Sequence, residues 1–158
     1  MKIILNDYAC HPFTLQLAKS LTQKKHVVHY MFAPYLQNPI ANFKDYKSSK
    51  NLFLCPVQIK GTYSKYNFFL RRNSEIEYGN ICCDIIEEIR PDVLICTNVP
   101  LDGLKILVKN SKIFGIPLVF WVQDIYSEAI KRILSKKIFF LSKIISWYYS
   151  NIENYCIK

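Results

Sequence analysis

Glycine is scarce in this chain: four residues in 158, and none in the turn that follows the first strand-like run. In a dinucleotide-binding fold that turn carries GxGxxG, which lets the backbone approach a pyrophosphate. Its absence argues against a dehydrogenase-type nucleotide site. No run of 18 or more apolar residues occurs, so no membrane span is expected. The start, "MKIILNDY", has a four-residue apolar run broken by Asn6 and Asp7, too short for a signal peptide. The six cysteines (Cys10, Cys55, Cys82, Cys83, Cys96 and Cys156) form no CxxC pair and no Cys/His cluster. They are expected to be reduced thiols serving as small hydrophobes in a cytosolic protein, with no metal and no cofactor. Zinc-finger, RNP and helix-turn-helix patterns are missing and the lysines are scattered, so nucleic acid is not an expected partner. Internal repeats and low-complexity tracts are missing too.

What is present suits a folded domain. A chain of 158 residues can bury a core without disulfides or metal, and 51% of it is apolar. The net charge of +9 favours anionic partners such as lipid headgroups or phosphorylated substrates, without choosing among them.

"KIIL" reads as a buried strand, and "HPFTLQLAKSLTQKK" follows with the helical spacing of Phe13, Leu17 and Leu21. Pro12 suits the first helical position, where its missing N–H would have no partner. "HVVHYMF" is a second strand, completing a βαβ unit. From Ala33 to about Asn73 the pattern loosens around a strand candidate, "LFLCPV", and "YNFFLRR", which fits a short helix or an aromatic loop. A helix then runs through "SEIEYGNICCDIIEEIR", with Ser74 as its cap and Ile76, Ile81, Ile85, Ile86 and Ile89 as its apolar face. Gly79 weakens it. "PDVLIC" is a strand, "LDGLKILVKNSKIFG" a helix ended by Gly115, and "IPLVFWV" an interior strand with Trp121 in the core. Two helices close the chain, "IYSEAIKRILSKK" and "IFFLSKIISWYYSNIENYCIK". Continuously apolar strands alternating with helices predict an α/β fold: a Rossmann-like parallel sheet with helices on both faces.

Polar clusters follow three of those strands: Asn6 and Asp7 with "ACHPF", Thr97 and Asn98 with Pro100, and Gln123 and Asp124 with Tyr126. In a parallel sheet all three share the rim where open α/β folds bind ligands. His11 stands just before a helix N-terminus, where free N–H groups and the dipole attract an anion. It can bond a ligand or move a proton, or it can simply cap the turn. Asp124 fits a general base, a hydroxyl-binding carboxylate or the N-cap of the "IYSEAI" helix. Gln123 and Asn98 offer donors and acceptors suited to sugar hydroxyls, although Asn98 could equally bond its own turn. Asp102 reads as a first-turn acid answering the helix dipole.

The last segment mixes Lys136, Lys137 and Lys143 with Phe140 and Trp147. Ile138, Leu141, Ile145, Tyr148 and Ile152 share one helical face that packs on the domain. Phe140, Lys143 and Trp147 lie on another, able to rest on anionic lipid or to be an ordinary solvated face.

"MKIILNDYACHPFTLQLAKSLTQKKHVVHYMF", "PDVLICTNVPLDGLKIL" and "FWVQDIYSEAIKRIL" together resemble the N-terminal domain of family 4 glycosyltransferases with the GT-B fold, in the WbuB-like branch of bacterial surface-polysaccharide synthesis. The resemblance spans nearly the whole chain and is weakest between residues 34 and 73. It implies a retaining transferase that moves a sugar from a nucleotide-sugar donor to a polyprenyl-diphosphate-linked saccharide, peripheral to the cytoplasmic face of the plasma membrane. The N-terminal half would hold the acceptor, with His11 and Asp124 catalytic and Asp7, Asn98 and Gln123 binding acceptor. Relatives often carry histidine where Gln123 stands, so hydroxyl binding suits this position better than proton transfer. The family's donor-binding domain has no counterpart within residues 1–158, and one more strand of the first domain is expected beyond Lys158. The expectation is a truncated chain, a fragmentary reading frame or one subunit of a split enzyme, inactive alone. The competing expectation is a non-catalytic membrane-surface module that recruits a partner carrying the donor site.

Overall fold

The computed structural model describes residues 1–36, 50–128, 132 and 139–157, without the side chains of 139–142. Five strands form one sheet: β1 (Lys2–Asp7), β2 (Val27–Phe32), β3 (Leu52–Pro56), β4 (Val93–Thr97) and β5 (Leu118–Trp121). Their order is β3-β2-β1-β4-β5, and every pairing is parallel. All five carboxyl ends therefore lie on one edge. The helices are α1 (Pro12–Gln23), α2 (Phe68–Ile89), α3 (Leu101–Phe114) and α4 (Phe139–Ile157). This is the expected Rossmann-like α/β architecture.

Alternation along each strand builds a core on each face of the sheet. Ile3 and Leu5 of β1 join Val28 and Tyr30 of β2 beneath Leu15 and Ala18 of α1. Ile4, Met31, Leu94 and Cys96 point the other way, against Tyr78, Cys82 and Ile86 of α2, Leu104 and Leu107 of α3, and Tyr149, Ile152 and Cys156 of α4. None of the six cysteines forms a disulfide. Burial pushes those of Cys10, Cys83 and Cys156 up to about 11, so they pack as neutral hydrophobes.

Helix α2 departs from its sequence reading in two ways. It begins six residues before Ser74: Asn67 is the cap, its Oδ1 accepting the Leu70 N–H at 3.1 Å. Ser74 is buried inside the helix and donates to the Leu70 carbonyl at 3.0 Å. The buried stripe keeps Ile86, with Ile81, Ile85 and Ile89 partly buried against the core, and is centred on Ser74, Glu75, Tyr78, Gly79, Cys82 and Cys83. Gly79 sits on it for a steric reason, since a Cβ there would lie 2.9 Å from the Gly103 Cα of α3. Helix-to-helix contact thus decides a residue that helix propensity disfavours.

Among the described residues β5 borders the sheet, where an interior strand was expected. Its sole strand neighbour among the described residues is β4, and Val119 and Trp121 are 50% and 39% exposed. Trp121 is therefore not core; its ring packs edge-on against Phe13 of α1. No helix among the described residues is long and apolar enough to cross a membrane.

Candidate functional site

At the carboxyl edge of the sheet a cavity of about 360 Å³ opens between the strand ends, α2 and α4. That volume falls within the usual range for small-ligand pockets, roughly 300–1,000 Å³. His11, Asn98 and Asp124, each trailing a different strand, line it together.

His11 is held from below. Asp7, at the end of β1, is fully buried, and its Oδ2 accepts the His11 backbone N–H at 2.6 Å, the Tyr30 hydroxyl at 2.9 Å and the Thr14 hydroxyl. Its Oδ1 lies 3.3 Å from His11 Nδ1. The carboxylate therefore supplies the negative charge that the N-terminus of α1 favours, in the place where a ligand anion was expected. Asp7 is closed off from the cavity and positions His11; the expectation that it touches acceptor does not fit its burial. In the tautomer that donates Nδ1–H to Asp7, Nε2 carries the lone pair.

Asn98 follows β4 with φ at 53°, in the left-handed region that asparagine tolerates better than most residues. Its Nδ2 lies 3.1 Å from both His11 Nδ1 and Thr97 Oγ1. Gln123 donates to the same Thr97 oxygen at 2.7 Å and is not among the described lining residues. Gln123 and Asp124, which follow β5, are exposed. Asp124 does not cap the helical turn at 126–128. Glu153 of α4 does: its carboxylate accepts the Tyr126 N–H at 2.9 Å and the Ser127 hydroxyl.

Of the far wall the sequence reading places Tyr126 alone on the rim. Arg71 and Glu75 of α2, with Tyr8, Tyr63, Tyr126 and Tyr149, line it. Arg71 Nε stands 3.2 Å from Glu75 Oε1. Burial pushes the Glu75 carboxyl up to about 7, with the Asp102 charge adding and Arg71 and Arg72 opposing. Behind it Asp102 is buried and accepts from Arg72, Tyr148 and Tyr149 at 3.2, 3.0 and 3.1 Å, which makes it more than a dipole acid. A signal for Glu75 existed: it lies three residues before Tyr78 and seven before Cys82, on the buried stripe of α2. Leu36 and Tyr63 are shared with an adjoining trough lined by Tyr35, Lys65 and Tyr66. Among the described residues no His, Cys, Asp and Glu side chains group as metal ligands.

Of the expected membrane-surface residues, Lys136 and Lys137 lie outside the described residues, as does the side chain of Phe140. Lys143 is exposed and Trp147 is 69% exposed, while Tyr149 and Ile152 of the same helix are buried.

Compared with protein-family models and with curated proteins, the chain matches none. Among solved structures it is similar to MurG of Acinetobacter baumannii (16% identity, TM-score 0.50), covering 75% of this chain and 34% of that one. It is similar to Arabidopsis thaliana UGT89C1, complexed with UDP-L-rhamnose, at 9% identity and TM-score 0.55, covering 87% and 39%. It is also similar to the C-terminal domain of the PF1911 hydrogenase of Pyrococcus furiosus, at 15% identity and TM-score 0.55, covering 77% and 90%. The chain spans little more than a third of the two transferases. A hydrogenase domain shares the architecture, so these likenesses fix a Rossmann-like fold of the kind found in GT-B glycosyltransferases and leave the chemistry to the cavity.

Proposed function

We propose that the chain is the acceptor-binding half of a retaining, family 4-like glycosyltransferase of the WbuB-like branch. It would move a sugar from a nucleotide-sugar donor to a lipid-linked saccharide in surface-polysaccharide synthesis. One observation carries this reading: His11, Asn98 and Asp124, widely separated in sequence, line one cavity on the ligand-binding edge of a fold that glycosyltransferases use. His11 presents Nε2 to an acceptor hydroxyl as base or hydrogen-bond acceptor, oriented by Asp7. Asp124 faces the same space from the opposite strand end and takes a second hydroxyl or its proton. Asn98 stands beside the imidazole, and Gln123 joins them through Thr97. Retention and lipid linkage rest on the sequence resemblance. A second α/β domain or a partner subunit would hold the nucleotide, so the chain alone does not turn over.

The test pairs the 158-residue chain with a donor-binding half supplied as a separate polypeptide. Transfer from a labelled nucleotide sugar to a lipid-linked saccharide is then followed. Restored transfer that falls about 10²- to 10⁴-fold in His11→Ala and Asp124→Asn, with folding intact, is the expected outcome. A demonstrated complex without transfer would favour the recruiting module instead.

For the membrane, α4 offers the outward Trp147 and Ile144, 69% and 53% exposed, beside Lys143. The proposal is that this face meets anionic lipid on the cytoplasmic side, together with Lys136, Lys137 and Phe140. Replacing Lys136 and Lys137 by Gln should weaken binding to anionic vesicles, more at low salt than at high. Unchanged binding would leave the helix with a packing role only.

A further inference from the structure

Glu75 is 8% exposed, yet it lines the cavity, and among the described residues its one ion-pair partner is Arg71, Nε 3.2 Å from Oε1. A carboxylate offers about four acceptor positions, so most of its capacity is unfilled. No sealed side-chain oxygen among the described residues lacks a hydrogen bond. The unbonded Oε2 must therefore open on the cavity. Buried carboxylates are ordinarily hydrogen-bonded, and one left short of donors beside an open pocket calls for a ligand that brings them.

The surroundings narrow the ligand. Tyr8, Tyr63, Tyr126 and Tyr149 share the cavity with Glu75. Burial raises the pKa of all four hydroxyls, and the Glu75 charge adds to the rise in each. None of the four donates to it; Tyr149 is turned to Asp102, and Tyr8 accepts from Tyr35. They give apolar ring faces with polar tips, a surface for the C–H face of a sugar ring. An anion is the poorer fit. The one lysine or arginine among the described lining residues, Arg71, is paired to Glu75, and Asp124 adds a second carboxylate.

We propose that Glu75 and Arg71 form a further binding subsite of this cavity, reading neighbouring hydroxyls of a neutral sugar ring laid against the tyrosines. Arg71 donates to one hydroxyl oxygen through its remaining N–H groups, and Glu75 accepts from the next hydroxyl. The inference rests on the acceptor-binding reading and deepens it: this wall selects the sugar, and the His11 side acts on it.

Titration of the 158-residue chain with methyl glycosides of glucose, galactose and N-acetylglucosamine, followed by amide and side-chain NMR shifts, tests it. The expected map centres on Arg71, Glu75 and the four tyrosines, with the preferred glycoside bound about ten- to a hundred-fold more weakly by Glu75→Gln. The wild-type map decides even if that variant misfolds. Shifts confined to His11, Asn98 and Asp124, untouched by Glu75→Gln, would overturn this subsite while leaving the acceptor reading standing. Inorganic phosphate that shifts Arg71 where no glycoside does would replace the sugar by an anion and overturn the subsite. No glycoside response anywhere in the cavity would overturn both.

Discussion

Asp7 lies behind the cavity wall that carries His11 and Glu75 lines the cavity itself, and both are carboxylates taken out of water, at 0% and 8% exposure. Their coordination differs sharply. Asp7 Oδ2 receives the His11 N–H, the Tyr30 hydroxyl and the Thr14 hydroxyl, and Oδ1 faces His11 Nδ1. Glu75 receives Arg71 alone. Asp102 resembles the first, with Arg72, Tyr148 and Tyr149 gathered on it. Equal burial therefore has two meanings here. Where donors surround the charge, burial builds structure: Asp7 caps α1 and aims a histidine. Where they are missing, the group destabilises its own ionised form and waits for hydroxyls from elsewhere.

Removing the well-coordinated carboxylate should have the larger effect. Asp7→Ala strands the His11 N–H and two buried hydroxyls, of which Thr14 and Tyr30 can partly satisfy each other at 3.0 Å. The expected loss is about 3–5 kcal/mol of unfolding free energy, read from the midpoint of a urea titration. The same variant frees the His11 ring, so its NMR signals should lose their single environment. A loss below about 1 kcal/mol would break the contrast by showing that the donors never depended on Asp7.

The sequence carried one side of this cavity and hid the other for a physical reason. His11, Asn98 and Asp124 follow strands, and parallel pairing alone sends strand ends to one edge. Glu75 sits on a helix whose expected isoleucine face shares Ile86 with the Tyr78–Cys82–Ile86 line but leaves out the polar positions along it. Helix phase is set by what the helix packs against, here Gly103 of α3, and that partner is distant in sequence. The same long reach explains Glu153, which caps the turn at Tyr126 from 27 residues away, where nearby Asp124 was the natural candidate. The edge position of β5 was equally hidden, because an apolar run of this length reads alike at the centre and at the border of a sheet. "YNFFLRR" reads as a short helix or an aromatic loop; the structure takes the helical alternative and runs it into α2, with Asn67, a preferred N-cap type, at its start.

Exchanging the poorly coordinated carboxylate for its neutral isostere gives the smaller effect and the sharper test. The Glu75 carboxyl titrates at about 7 in the fold against 4.5 unperturbed. The charged and titratable groups that bear on it are Arg71, Arg72 and Asp102, with the hydroxyls of Tyr8, Tyr35, Tyr63, Tyr126 and Tyr149 around it. A folded pKa raised above the unfolded one means that the neutral acid favours the fold. Its contribution is complete below pH 4.5 and is lost as pH rises through about 7. Glu75→Gln cannot ionise, so it should match the wild type in acid and exceed it above neutrality, by at most roughly 3 kcal/mol. Losing the half-exposed Arg71 ion pair offsets little of that gain, about 0–1 kcal/mol. Urea unfolding of both chains across the pH range reads the divergence directly. Hydroxyls from a bound glycoside stabilise the carboxylate, so saturating sugar should narrow the gap. A variant that is less stable than wild type above neutral pH would make Glu75 a second Asp7, held by donors that already satisfy it.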